Sequence, residues 1–435
     1  MARKIIIMGA AGKDFNIFNT VYRDRAEYEV VAFTHAQIPE IGSRIYPPKL
    51  AGSRYPEGIP IEPEDALIDL IKEHEVNEVV FAYSDVSYDY ISEKERQIQQ
   101  AGAILRMADV ERMMIPSLKH LIAVTATRTG AGKSSVTRYV VKTLRDRGRR
   151  VAVVRHPMPY GDLAAQEFQV FRTYDDLSRY NCTIEEREEY EPHLKMGTIV
   201  FAGVEYGRIL QEAEKEADVI VWDGGNNDVP FYRPDIWICV ADPHRAGHEL
   251  EYYPGRINFE KCHAIVINKC DTANQADIDT VEANARKLNP RATVVKTNSV
   301  IHVDQPDQIE GKSVLIVEDG PTVTHGELKH AAGMVAAKKH LAKMIVDPRP
   351  YATGTIAIAF QDYPDTGNVL PALGYSEKQR KDLEKTIELC PCDVVIAATP
   401  IDLAKVITIK KPVVRVTYDI QEIGPNTLAT VLTDF

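Results

Sequence analysis

Apolar runs of four to seven residues recur along the chain, separated by amphipathic stretches of helical period. Residues 4–8 (KIIIM) read as a first strand that turns through Gly9-Ala-Ala-Gly12 into a helix from Asp14. Residues 29–34 (EVVAFT) and 78–83 (EVVFAY) predict the next two strands, with a helix over 64–75 between them. Strands alternating with helical patterns build parallel βαβ units. A second series begins at 121–125 (LIAVT). It continues at 150–156, 219–223, 236–242, 264–269, 293–297 and 313–319, nearly all unbroken runs rich in Val and Ile. Strands covered by helices on both faces read this way. The acidic, weakly periodic stretch 182–198 (CTIEEREEYEPHLKMGT) reads as a lid or surface excursion. The tail carries apolar runs at 355–360 (TIAIAF), 393–399 and 413–418, with a helix near 376–389.

These patterns predict an α/β chain in three parts. Residues 1–118 form a Rossmann-like domain with a possible substrate-anion site. Residues 119–345 form a P-loop NTPase domain, and 346–435 an α/β extension packing on the NTPase sheet. With 435 residues, 44% hydrophobic and 26% charged, the chain has ordinary globular composition. A net charge of −11 argues against a nucleic-acid coat. No apolar run reaches membrane-spanning length, and MARKIIIMGAAG lacks a signal-peptide cleavage site, so a cytoplasmic location is expected. The cysteines are scattered and do not make a disulfide framework; Cys390-Pro-Cys392 is too tight for the common zinc spacing.

The sharpest chemistry lies at residues 125–135, TATRTGAGKSS. An apolar strand runs into Thr129-Gly130-Ala131-Gly132-Lys133-Ser134-Ser135, and a helix follows whose Val136, Tyr139, Val140 and Leu144 share a face. Glycines let backbone N–H groups turn toward a polyphosphate, and the helix N-terminus adds its dipole. Lys133 is placed to reach the β- and γ-phosphates, and the Ser134 hydroxyl to ligate Mg²⁺. Threonine at 127 replaces the first glycine of the long motif. The compact loop instead resembles P-loop proteins of the MinD, dethiobiotin synthetase and nickel-insertion GTPase class. Their signature lysine falls on Arg128, which either stabilises transition-state charge, in its own subunit or across a homodimer, or is a solvated arginine.

Further motifs stand at strand ends. Asp223, in ADVIVWDGGNND (217–228), sits where a carboxylate would orient Mg²⁺, and Asp228 is a further carboxylate or a turn cap. Asn268-Lys269-Cys270-Asp271 has the form of a guanine-reading element. Arg155 and His156 suit holding an anion and Asp162 suits orienting Mg²⁺ or a nucleophile, unless the segment is a plain structural loop. His244, Arg245 and His248 also suit an anion, with a metal as the alternative for the two histidines. Glu318, opening the 318–326 loop, adds a candidate metal carboxylate. Open α/β sheets bind ligands along this edge. Lys13, Arg44, Lys49 and Arg54, with Ser84 and Asp85, form either an anion pocket or a basic surface. The full G-x-G-x-x-G of a dinucleotide site is absent, and Thr34-His35 stands where a ribose-binding acid is expected.

Several separated stretches together resemble one family. They are MGAAGKDFN at the start, RHPMPYGDL (155–163), DGGNND (223–228), DPHRAGHE (242–249), VEDGPTVTHG (317–326) and LPALGYS (370–376). The chain is similar over nearly its whole length to the archaeal and bacterial predicted GTPases grouped with cyclic 2,3-diphosphoglycerate synthetase. That resemblance implies phosphoryl transfer from ATP to a small phosphorylated acid such as 2,3-diphosphoglycerate, followed by closure of an intramolecular phosphoanhydride. Crowding two such anions requires Mg²⁺ and several cationic contacts. NKCD points instead to GTP. The alternative reading is a regulatory or metal-delivery GTPase acting on a protein partner.

Overall fold

In a computed structural model, residues 2–36, 44–155, 162–225, 228–324, 332–374 and 376–435 are described. Among these, β1 (Arg3–Met8), β2 (Tyr28–His35), β3 (Arg44–Tyr46), β4 (Ile59–Pro63), β5 (Glu78–Phe81) and β7 (Ile104–Met107) form a six-stranded sheet. Its order is β3-β4-β2-β1-β5-β7, parallel except for β3. β6 (Val86–Ser87) leaves it to pair antiparallel with β14 (Tyr252–Tyr253).

The second sheet has thirteen strands among the described residues. These are β8 (His120–Ala126), β9 (Val151–Arg155), β10 (Gln169–Phe171), β11 (Ile199–Ala202), β12 (Val219–Asp223), β13 (Ile236–Ala241), β15 (Ala264–Ile267), β16 (Thr293–Val303), β17 (Ser313–Asp319), β18 (Met344–Ile345), β19 (Leu370–Ala372), β20 (Val394–Ala398) and β21 (Val413–Ile423). They run in the order β10-β11-β9-β12-β8-β13-β15-β16-β21-β20-β17-β18, with β19 beside β17. The stretch from β11 to β16 is parallel. There the order reverses around β8, which leads into the phosphate loop, and such switch points are where α/β sheets bind ligands.

β16 and β21 form a long antiparallel pair, Lys296 opposite Ile423 through Val303 opposite Val416. This pair carries β17 and β20 beyond the P-loop strands, so β17 is hydrogen-bonded to C-terminal strands and not to β16. The helix Lys133–Asp146 packs against the same pair: Arg138 donates to the Tyr418 carbonyl at 2.8 Å, and Tyr139 Oη to Glu422 at 2.7 Å.

The two sheets share one apolar core. Phe15, Phe18 and Tyr46 from the N-terminal part lie in a single buried cluster with Tyr206, Trp222, Phe231 and Tyr232. Polar links cross the seam: Asn19 Nδ2 donates to the Val204 carbonyl at 3.2 Å, and Arg23 pairs with Glu205 at 2.7 Å.

The apolar run at 355–360 is helical, within Gly354–Asp362. Asp382 accepts from both the N–H and the hydroxyl of Thr355 at 2.9 Å, fixing the start of that helix. A short apolar run does not by itself separate helix from buried strand. Residues 184–195, inside the stretch expected to be a lid or surface excursion, form a largely buried helix, Ile184–Lys195. All six cysteines are unpaired thiols. Among the described residues no helix is long and apolar enough to cross a membrane.

Candidate functional site

β8 delivers the chain into Thr127–Gly132, and the helix Lys133–Asp146 starts directly after it. Gly130 and Gly132 take φ of 78° and 101°, the left-handed region that glycine tolerates. A Cβ at Gly132 would stand 2.1 Å from Asn268 Nδ2. That contact reveals a clamp. Asn268 donates to the Ala131 carbonyl at 3.0 Å and accepts from Thr297 Oγ1 at 2.9 Å. Lys269 Nζ donates to the Gly130 carbonyl at 2.6 Å and to Asp242 at 2.8 Å. The first two residues of the NKCD element thus brace the phosphate loop. Asp271 is exposed and accepts from the Ser299 N–H at 2.9 Å.

At the mouth of the loop, Lys133 Nζ lies 2.6 Å from Asp223 Oδ1, which also accepts from Thr137 Oγ1 at 3.0 Å. Arg155 stands 2.8 Å from Asp223 Oδ2 and, with its other nitrogen, 2.8 Å from Glu189. His193 Nε2 is 3.6 Å from the same Oδ2. Asp223 and Arg155 are almost wholly buried. Burial opposes the charge on Asp223, but Lys133 and Arg155 outweigh it and hold the carboxyl well below its usual range. The result is a fixed array of charge, with two cations and a carboxylate converging where a terminal phosphate enters a P-loop.

Arg128 is buried. Its Nε donates to Asp85 at 2.7 Å, its NH1 lies 2.5 Å from His248 Nδ1, and its guanidinium stacks 3.6 Å over the Tyr252 ring. The solvated-arginine alternative therefore does not describe its surroundings. Burial, then the charges of Arg128 and Arg245, pull His248 down to about 4, so its ring is neutral and accepts. Asp242 collects His244 Nδ1 at 2.9 Å, Arg245 at 3.2 Å and Lys269. In the described structure His244 and Arg245 face this carboxylate. Asp228 meets Ser84 Oγ, with Lys13 Nζ at 3.7 Å, and Lys13 also donates to the Tyr83 carbonyl at 3.0 Å. Burial moves these two groups toward each other, Asp228 up to about 6 and Lys13 down to about 8.

Ser134 and Ser135 occupy the first turn of the loop helix. Asp162 is exposed and caps its own turn, accepting from Ala164 N–H at 2.9 Å. Glu318 is the penultimate residue of β17, beyond the β16–β21 pair. Asp162, Asp223 and Glu318 are not gathered into one metal-ligating group, nor is any set of three such side chains among the described residues. His156, Tyr160, Gly161, Asn226, Asn227, His325, Gly326 and Tyr375 lie outside the described residues. The N-terminal Gly9–Gly12 turn spends its own amides. Ala11, Gly12 and Phe15 N–H all donate to Asp14, at 2.7–3.0 Å. Lys49 pairs with Glu167 and Arg54 donates to the Arg25 and Tyr28 carbonyls, so these residues do not converge on one pocket.

Glu188, Glu189 and His193 were invisible to the periodicity argument because the buried face of their helix is polar. A local signal did exist in Thr183-x-x-Glu186. Thr183 Oγ1 accepts from Glu186 N–H at 3.1 Å and Glu186 accepts from Thr183 N–H at 2.9 Å, a capping box.

Strand, glycine loop, helix and the clamping asparagine and lysine define a P-loop α/β protein. Arginine synthetase ArcE of Thermococcus kodakarensis is 54% identical to this chain over 433 residues, covering 100% of this chain and 97% of that protein. The chain belongs to the family of that protein. No protein-family model matches it. The apo form of LpxK from Aquifex aeolicus, solved in complex with ATP, aligns with a TM-score of 0.45 at 12% identity, over 80% of this chain and 97% of LpxK.

Proposed function

We propose that this protein is an NTP-dependent synthetase that transfers a γ-phosphoryl group to an oxygen of a small acceptor. The observation that carries the reading is the convergence of Lys133 and Arg155 on buried Asp223 at the mouth of the phosphate loop. In this reading the backbone of Thr129, Gly130, Ala131 and Gly132 cradles the β-phosphate, and Lys133 exchanges Asp223 for the γ-phosphate. Arg155 and Arg128 neutralise charge that builds on the transferring group, as preorganised cations do. The glycine φ values and the carboxylate beside Lys133 and Thr137 suit Mg²⁺-nucleotide, with Ser134 and Asp223 as the groups that would hold the ion directly or through water. Mg²⁺ supplies charge neutralisation on the phosphates. Asp271 is the candidate base-reading carboxylate for GTP, and its exposure leaves room for either ATP or GTP.

The product class comes from the relative's name, arginine synthetase. A guanidino carbon carries three nitrogens, so forming one from a ureido carbon requires that its oxygen become a leaving group. Phosphorylation does this. The ureido oxygen attacks the γ-phosphorus and NDP leaves; an amine nitrogen then adds to carbon, inorganic phosphate departs with the original oxygen, and the nitrogen loses a proton. The resemblance to cyclic 2,3-diphosphoglycerate synthetase supports a second acceptor, in which the second phosphate of the substrate plays the part of the amine. Both share the first step.

The test is turnover with ATP or GTP and Mg²⁺ in the presence of citrulline and ammonium, or of 2,3-diphosphoglycerate, followed by phosphorus NMR and amino-acid analysis. The expected outcome is arginine formed one-for-one with NDP and phosphate. A cyclic phosphoanhydride in the other arm would select the second acceptor. Hydrolysis indifferent to every acceptor would return the protein to the regulatory GTPase reading.

A further inference from the structure

The helix Ile184–Lys195 presents more acid to the interior than the nucleotide chemistry uses. Glu189 is engaged by Arg155. One residue earlier, Glu188 is 5% exposed and hydrogen-bonds with Asp319 at the end of β17, while its Oε1 has no partner. Glu318, 1% exposed, accepts from Gly333 N–H at 2.8 Å and Met334 N–H at 3.3 Å through Oε1, and its Oε2 has no partner. Tyr418 feels the charge of Glu188, Glu318 and Asp319 together. Two elements far apart in sequence therefore bring three carboxyl groups into one buried neighbourhood. The fixed cations at hand are already engaged: Arg155 by Asp223 and Glu189, Lys269 by Asp242 and the phosphate loop, and Arg138 by Ser135 Oγ and the Tyr418 carbonyl.

Carboxyl oxygens without hydrogen-bond partners in a buried site are costly, and the cost is removed by a donor that arrives with its own positive charge. Burial, then the repulsion of Asp319, pushes Glu188 well above the usual range, and burial carries Glu318 up to about 8. Near neutral pH Glu318 thus holds a proton that a cation would replace. Among the described residues no three acidic, His or Cys side chains are close enough to chelate a metal ion. An ammonium or a guanidinium would donate N–H groups to such oxygens and bring its own charge.

The geometry points to Glu188, Glu318 and Asp319 as the binding site for a cationic nitrogen, a guanidinium or an ammonium, beside the helix that carries Glu189 to Arg155. This rests on the synthetase reading above and gives it a place for the nitrogen end of the reaction. Arg155 joins the two halves, touching Asp223 with one nitrogen and the neighbouring Glu189 with the other. Glu188, Glu318 and Asp319 are positioning residues for that nitrogen.

The experiment uses the full chain with ADP bound and the variants Glu188→Gln and Glu318→Gln. Arginine affinity is measured by calorimetry, and the KM for ammonium chloride is measured in the arginine-forming direction. ADP affinity and Tm report on folding. The expected result is at least a tenfold loss in one of the two nitrogen readouts, with ADP affinity within twofold of wild type. Loss of arginine affinity alone identifies a guanidinium site; a raised ammonium KM alone identifies an ammonium site. In wild-type protein, millimolar guanidinium chloride is expected to compete with whichever nitrogen species binds, a readout that needs no variant. If wild type forms arginine while both variants keep both constants within twofold, or guanidinium does not compete, the assignment is wrong and the synthetase reading stands. If wild type forms no arginine and binds none, both fall.

Discussion

Gly132 sets the distance between the phosphate loop and its clamp. Its φ of 101° and the 2.1 Å approach of Asn268 to a would-be Cβ leave no room for a methyl group. Gly132→Ala is expected to lower stability by more than about 1 kcal/mol and to abolish detectable nucleotide binding. Chemical denaturation and ADP titration check this; a variant that binds ADP normally would show that the clamp does not shape the loop. Glu318 predicts a pH effect of definite sign. Its carboxyl is raised from 4.5 to about 8 by burial, against the Gly333 and Met334 amides, with Asp319 raising it and Lys269 lowering it. Between those values the native state holds a proton that the unfolded chain has lost. Stability from this group is therefore full below pH 4.5 and declines as pH rises toward 8. Glu318→Gln should flatten the fall in Tm between pH 5 and 8, and an unchanged slope would contradict the assignment. The loop lysine, its glycines and Asp223 were legible in the sequence because strand, turn and helix fix their placement locally. The partners of Arg128 were not: Asp85 and Tyr252 reach it through the tertiary fold, 43 residues upstream in the case of Asp85.

At the scale of elements, the helix Ile184–Lys195 is the piece the pattern of apolar positions misplaced. Its inward face offers Glu188, Glu191 and His193, which read as surface in any hydrophobicity argument. Such a helix relies on its cap more than an apolar one does. Thr183→Ala removes one half of the capping box and is expected to cost about 0.5–2 kcal/mol. The same change should raise the KM for the acceptor more than the KM for nucleotide, because Glu189 and His193 hang from this helix while Lys133 does not. Equal changes in the two constants would mean that the helix does not border the acceptor. Most of the central Val- and Ile-rich strands, by contrast, were readable, since a parallel strand covered on both faces leaves a continuous apolar run; Ile199–Ala202 was not, and the antiparallel pair runs on to Val303 and Ile423, past the apolar runs at 293–297 and 413–418.

At the scale of the whole molecule, the N-terminal sheet is built into the protein. Phe15, Phe18 and Tyr46 share a core with Trp222 and Phe231, Lys13 reaches Asp228, and Asp85 holds Arg128. A core shared in this way predicts one calorimetric transition, with van't Hoff and calorimetric enthalpies equal. Two resolved transitions would mean that the sheets unfold independently. The same construction brings the Arg155–Asp223 pair to the mouth of the nucleotide loop and, through the helix that carries Glu189, sets buried Glu188 beside Asp319 of β17. In the proposed reaction an acceptor oxygen leaves as phosphate. Citrulline labelled with ¹⁸O at the ureido oxygen, turned over with ATP and ammonium, tests it most directly by the isotope shift of the phosphorus signal. One ¹⁸O is expected in each phosphate released. Phosphate carrying only unlabelled oxygen while ATP is consumed would contradict it.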